Sequence, residues 1–147
     1  MPGALETLRW LRAEGYRTAL ISMCAPDTPA LWRASPFAGL VDVEVFSSEV
    51  GLRKPEPEIY LHACELLGVE PRACVYVGDG SFGELSGAAA LGMHAVLVLD
   101  PAVDVRTIHR PEAERWSGPR IGSLEEIRAL LEAHAAGSDA ARSARRR

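Results

Sequence analysis

The sequence predicts an α/β domain organised around a parallel β-sheet with helices on both faces. Three observations carry that prediction. Short apolar runs alternate with stretches of helical periodicity along most of the chain. Most of those runs are almost continuously apolar, the pattern of strands covered on both sides. Ser22 and Asp79 stand at the carboxyl ends of two of the runs, where open parallel sheets present their ligands. A length of 147 residues suits one core, and 48% hydrophobic with 24% charged residues suits a globular chain.

Each element has its own signal. Leu5, Leu8, Trp10 and Leu11 form a helical stripe over residues 3–14, closed by Gly15. Residues 17–22 read as a buried strand ending in a hydroxyl. Asp27 or Thr28 can cap a short helix running through Trp32. Val41 to Phe46 alternates apolar and acidic side chains, a half-buried strand. A turn-rich stretch, 51–57, leads into a helix over 57–67 with proline in its first turn and Gly68 at its end. Residues 73–78 form another apolar strand, followed by a loop over 79–83 and a helix over 84–91. His94 to Leu99 is a further strand. A loop of about twenty residues then separates it from a short strand at 119–122. Ser123 caps a last helix reaching about His134, with Glu126 completing a capping box.

Composition narrows the function. A net charge of −4 argues against a nucleic-acid partner, and no apolar run approaches the roughly 18 residues of a membrane span. Met1-Pro2-Gly3 leads directly into a helical pattern, without the basic flank and apolar segment of a signal peptide. Cys24, Cys64 and Cys74 have no metal-ligand spacing, and Cys64 and Cys74 fall in apolar patterns that suit a core. Reduced thiols and a cytoplasmic location are the expectation. The core domain is expected over 1–137. Residues 138–147, with Arg142, Arg145, Arg146 and Arg147, read as a disordered tail. Of sixteen basic residues Lys54 is the only lysine, a compact ammonium in a chain that otherwise uses arginine.

Three stretches, in order, carry a family resemblance. Residues 16–22, Tyr-Arg-Thr-Ala-Leu-Ile-Ser, are an apolar strand ending in serine. Residues 51–60, Gly-Leu-Arg-Lys-Pro-Glu-Pro-Glu-Ile-Tyr, place a lysine before Pro-x-Pro at a helix start. Residues 75–87, Val-Tyr-Val-Gly-Asp-Gly-Ser-Phe-Gly-Glu-Leu-Ser-Gly, form a Gly-Asp loop with a second acid. Together they resemble the second, third and fourth motifs of the haloacid-dehalogenase superfamily, in particular a phosphoglycolate-phosphatase-like core. The resemblance covers about residues 2–100. It implies a three-layer, Rossmann-like parallel sheet and Mg²⁺-dependent hydrolysis of a phosphorylated small molecule through an aspartyl-phosphate. It also implies roles. Ser22 would donate its hydroxyl to a phosphoryl oxygen, with the Met23 N–H as a further donor. Lys54 would neutralise charge between nucleophile and phosphoryl group. Asp79 would help hold Mg²⁺, and Glu84 would support the metal through water or orient Lys54. Gly78, Gly80 and Gly83 would let the loop turn sharply. Where many relatives have Asn or Asp before the second acid, this chain has Gly83. The loop's acids favour the metal-dependent branch over dehalogenation.

The family's first motif, a strand ending in Asp-x-Asp that supplies nucleophile and general acid/base, has no counterpart here. Asp42-Val-Glu44 lies inside an alternating strand, and Val96 to Asp100 has alanine at position 102. By the resemblance, the chain opens after that central strand and after the cap. Two consequences are expected: no catalysis by this chain alone, and facing strand edges left without their usual partner. The strands then close on each other, another chain supplies the central strand, or the chain folds poorly. In the second case the chain serves as a phosphate- and Mg²⁺-binding or assembly module completed by its partner.

Overall fold

The computed structural model describes residues 3–104 and 110–133. The tail reading at 138–147 lies outside those residues. Helix α1 (Ala4–Ala13) leads to strand β1 (Ala19–Ser22), helix α2 (Thr28–Arg33) and strand β2 (Val43–Phe46). The single turn α3 (Ser47–Val50) precedes helix α4 (Pro57–Leu67), strand β3 (Val75–Gly78), helix α5 (Glu84–Ala90) and strand β4 (His94–Val98). Helix α6 (Pro111–Arg115) and strand β5 (Arg120–Ile121) follow, then a last helix, α7, over 127–133.

Local chemistry sets these bounds. Pro57 starts α4 where an N–H would have no partner, and Gly68 ends it in the left-handed region at φ 66°. Ile59, Tyr60, Ala63 and Cys64 recur on one face of α4, and all are buried. The Asp42 carboxylate accepts the Thr18 N–H at 2.7 Å and the Thr18 hydroxyl at 3.2 Å, so β1 and β2 begin later than their apolar patterns suggest. The capping box of Ser123 and Glu126 forms as the sequence predicts.

The strands make two parallel sheets. In one, β1 pairs β2, with Ala19 opposite Val43 and Ser22 opposite Phe46; in the other, β4 lies between β3 and β5. Alternate residues of β4 serve opposite layers. Ala95 and Leu97 join Tyr60, Leu85 and Ala88 of α4 and α5, whereas Val96 and Val98 pack with Ile121 and Ile127. Helices therefore cover both faces, the three-layer arrangement expected. On the second face the Arg128 guanidinium lies 4.9 Å from the centre of the Trp10 ring, linking α7 to α1.

Helix α4 spans both sheets. Near its carboxyl end, Arg17 donates to the Leu67 carbonyl at 2.5 Å, and the Cys64 and Cys74 sulfurs lie 3.9 Å apart. At its amino end, Lys54 meets Met23 beyond β1 and Glu84 beyond β3. β1 and β3 thus run the same way, and their carboxyl ends reach one rim.

Candidate active site

The rim is built around one buried carboxylate. Lys54 Nζ lies 2.6 Å from Glu84 Oε2, and the two side chains are only 8% and 5% exposed. The Tyr76 hydroxyl donates to the same oxygen at 2.8 Å, while the backbone N–H groups of Asp79 and Gly80 donate to Oε1 at 2.7 and 3.2 Å. Four donors therefore converge on Glu84, which satisfies a charge that burial alone would penalise. Burial, reinforced by the neighbouring Glu84 charge, pushes the Tyr76 hydroxyl above its ordinary pKa, so it stays protonated as a donor.

Small residues create the space. A Cβ on Gly78 would fall on Glu84 Oε1 and 2.6 Å from its Cδ. In α5, a Cβ on Gly87 would stand 2.7 Å from the Tyr60 hydroxyl and 2.9 Å from the Pro55 carbonyl. That close approach holds the start of α5, and so Glu84, against the start of α4. The N-terminal amides of α5 are satisfied from α6: Glu112 accepts the Leu85 and Ser86 N–H groups at 3.0 and 2.7 Å.

Asp79, one residue beyond β3, projects differently. Its Oδ1 accepts the Ser81 N–H at 3.0 Å, and its Oδ2 lies 2.9 Å from the Arg110 guanidinium. Burial works against its ionisation, but the Ser81 hydrogen bonds and the Arg110 charge prevail and hold the carboxyl below its ordinary value.

Ser22 ends β1 at the same rim, but no hydrogen bond joins it to Lys54, Asp79 or Glu84 among the described residues. The link is its neighbour Met23, whose sulfur accepts the Lys54 N–H at 3.3 Å. Beyond it, Cys24 donates its N–H to the Ser47 hydroxyl at 3.1 Å, and its sulfur lies 3.4 Å from the Ser48 hydroxyl. The structure thus gathers Lys54, Asp79 and Glu84 tightly and leaves Ser22 beside them on the other sheet.

Tyr76, Arg110 and Glu112 are contributors that sequence reasoning missed. Tyr76 looks like one more apolar strand residue. Arg110 and Glu112 fall in what reads as a long loop, where Pro111 followed by acids and then Arg115 was the only helix signal.

Among the described residues, no group of three or more His, Cys, Asp or Glu side chains gathers as a metal site. Mg²⁺ asks less, one or two carboxylates with water and phosphate oxygens completing the shell. Asp79 fits that demand if a phosphate ester displaces Arg110. Glu84 does not fit as a direct ligand, because both its oxygens are taken by donors. It can hold Lys54 in place instead.

Fold and rim together define a Rossmann-like α/β domain whose strand ends carry a buried lysine–glutamate pair and a half-exposed aspartate. The haloacid dehalogenase-like hydrolase profile matches residues 1–92, and this chain belongs to that family. It is 38% identical to hexitol phosphatase A of Escherichia coli over 69% of this chain and 47% of that protein. To phosphoglycolate phosphatase of Nitrosospira multiformis it is 36% identical, over 66% of this chain and 43% of that one. A crystal structure of a HAD phosphatase from Thermococcus onnurineus superposes with a TM-score of 0.76 at 29% identity, covering 89% of this chain and 57% of that one. The chain spans about half the length of the curated relatives it matches. Among the described residues, no helix is long and apolar enough to cross a membrane.

Proposed function

We propose that this chain contributes the phosphate- and Mg²⁺-handling half of a phosphohydrolase site acting on a phosphorylated small molecule. The observation that carries the reading is the buried Lys54–Glu84 pair, tied by the Asp79 N–H into the loop that also presents the Asp79 carboxylate. Glu84 fixes Lys54 so that its ammonium faces the transferring phosphoryl group without reorganising. Ser22 and the Met23 N–H donate to phosphoryl oxygens. Mg²⁺ held by Asp79 would supply further charge neutralisation and orient the phosphate ester. The likeness to two named phosphatases supports phosphate esters as the substrate class.

The attacking carboxylate is supplied from outside these residues. Among the described residues, Asp100 is the only other aspartate within two residues of a strand's carboxyl end, and its Oδ1 is engaged by the Ala102 N–H at 2.8 Å. Phosphorus-31 NMR of inorganic phosphate titrated with the chain and Mg²⁺ tests the binding half. Metal-dependent line broadening, lost in Lys54→Met and Asp79→Asn, is expected; no broadening, or broadening indifferent to both, refutes it. A parallel assay with an aryl phosphate and Mg²⁺ is expected to show no turnover above Lys54→Ala and Asp79→Ala. Metal-dependent turnover lost in both variants means the chain holds its own nucleophile. A non-catalytic, partner-completed module is the second reading, favoured by the open strand edges.

A further inference from the structure

Two cysteine sulfurs meet where α4 nears its end and β3 is about to begin. Cys64 Sγ and Cys74 Sγ lie 3.9 Å apart, and both thiols are free. Backbone hydrogen bonds pin each residue. The Cys64 carbonyl accepts the Val69 N–H at 3.0 Å, the Cys74 N–H donates to the Pro71 carbonyl at 3.0 Å, and the Cys74 carbonyl accepts the His94 N–H at 2.9 Å. The Cys74 thiol donates to the Glu70 carbonyl at 3.4 Å, which leaves its sulfur to accept the Cys64 S–H. Both cysteines line a cleft of about 670 Å³ between the two sheets. The Thr7 hydroxyl lines the same cleft but is buried without a hydrogen-bond partner, so it engages neither sulfur. No group of three or more His, Cys, Asp or Glu side chains gathers as a metal site among the described residues, so the pair stands as a dithiol.

The two thiols differ in access. Cys64 is 5% exposed. Cys74 is half-buried and also lines a second cavity of about 450 Å³, beside Tyr16, Arg72, Met93 and His94, which gives a small molecule room to reach its sulfur. Burial, with the neighbouring Cys74 and Glu70, pushes the Cys64 thiol up to about 12, so Cys64 is not the first to react. Its place beside Cys74 suits a second step. Once Cys74 carries a mixed disulfide, Cys64 attacks as an intramolecular neighbour, and proximity offsets its weak ionisation.

We infer that Cys64 and Cys74 are a modification site, an oxidisable dithiol that a small-molecule disulfide of the glutathione class converts to an intrachain bridge. The Cys74 thiolate attacks one sulfur of the reagent, forming a mixed disulfide and expelling one thiolate, which takes up the proton Cys74 released. Cys64 then gives up its proton, its sulfur attacks Cys74 Sγ, and the second reagent thiol leaves with that proton. The protein loses two hydrogen atoms and is oxidised; the reagent gains them and is reduced to two thiols. Closure brings the sulfurs from 3.9 Å to about 2.05 Å, roughly 1 Å for each, which side-chain rotation supplies without moving either backbone. The bridge ties the carboxyl end of α4, whose amino end follows Lys54, to the start of β3, which runs to Asp79. It owes nothing to phosphate chemistry and stands apart from the phosphohydrolase reading.

The full folded chain is reduced, freed of reductant, incubated with oxidised glutathione at mildly alkaline pH and quenched in acid. Trypsin cuts after Arg72, between the two cysteines, so a bridge holds two peptides together in non-reducing mass spectrometry. Cys24→Ser keeps only the pair. That chain is expected to lose two hydrogen atoms, to yield the linked peptides and to melt about 8 °C higher than its reduced form, all reversed by dithiothreitol. The parent is expected to form the same bridge, with Cys24 carrying at most a mixed disulfide. In the Cys24→Ser background, Cys64→Ala is expected to stop at a mixed disulfide on Cys74, and Cys74→Ser to stay unmodified while folded, with no rise in melting temperature. A mixed disulfide that persists in the Cys24→Ser chain, a bridge to Cys24 in the parent, a covalent dimer in place of the ring, a bridge formed only in urea, or a bridged chain that melts no higher than the reduced one overturns the inference.

Discussion

Replacing Glu84 with glutamine tests whether one buried carboxylate organises the rim. The side chain keeps its shape but exchanges one acceptor oxygen for an NH2 donor. Turned one way, that donor meets the Asp79 and Gly80 N–H groups; turned the other, it meets the Lys54 ammonium, and the Tyr76 hydroxyl alone can rotate to accept it. Lys54, 8% exposed, also loses its counter-charge. Breaking a buried pair by removing one partner costs about 3–5 kcal/mol. The surviving acceptor places the loss nearer the lower end, about 3 kcal/mol. For a chain of this size each kcal/mol lowers the melting temperature by about 3 °C, so a drop of about 10 °C is expected. Thermal melts followed by far-ultraviolet circular dichroism measure it, with urea titration at 25 °C giving the free energy. Adding Lys54→Met to Glu84→Gln is expected to cost less than the two single changes summed, by about 1–3 kcal/mol. A single-variant loss below about 1 kcal/mol, or additive singles, refutes the account of a coupled, desolvated pair.

Gly78→Ala places a methyl group on the Glu84 carboxylate, and is expected to destabilise by about 1–3 kcal/mol in urea titration while Gly15→Ala, whose Cβ meets nothing within 4 Å, costs only its backbone strain. The thiols should separate by reactivity: burial pushes Cys64 up to about 12, whereas the Ser48, Ser22 and Ser47 hydroxyls outweigh burial at Cys24 and lower it. A maleimide at neutral pH should therefore label Cys24 first and Cys64 only on unfolding, read by peptide mass. Asp79 is held below its ordinary 3.8, so its contribution to stability is present above that pH and is lost as the pH falls through its lower folded value. Urea midpoints followed into acid should decline less steeply in Asp79→Asn than in the parent; identical slopes refute the assignment.

Much of this architecture is legible in residue order. Pro57 and Gly68 bracket α4, Ser123 and Glu126 form their capping box, and the apolar runs become β1, β3 and β4 with Ser22 and Asp79 near their carboxyl ends. What was illegible is short or long-range. α3 and α6 are too short to show a helical period, and the Asp42 bond to Thr18 that trims two strands joins residues 24 positions apart. Within the site, the lysine and both acids announce themselves by motif. That Glu84 would be saturated by Tyr76, Lys54 and two amides could not be read, because the Tyr76 hydroxyl is indistinguishable in sequence from a core ring. The separation of the sheets was expected as open edges. The orphan Thr7 hydroxyl between them was not, since a threonine in an amphipathic helix carries no such signal.

The burial of Lys54 has a practical consequence for anyone handling the protein. It is the chain's only lysine, so amine-directed acylating reagents have one side-chain target besides the α-amino group, and in the folded state that target is shielded. Acylation of position 54 therefore counts molecules that have opened. The chain carries a built-in, single-residue clock for its own unfolding, readable by intact mass without adding a probe.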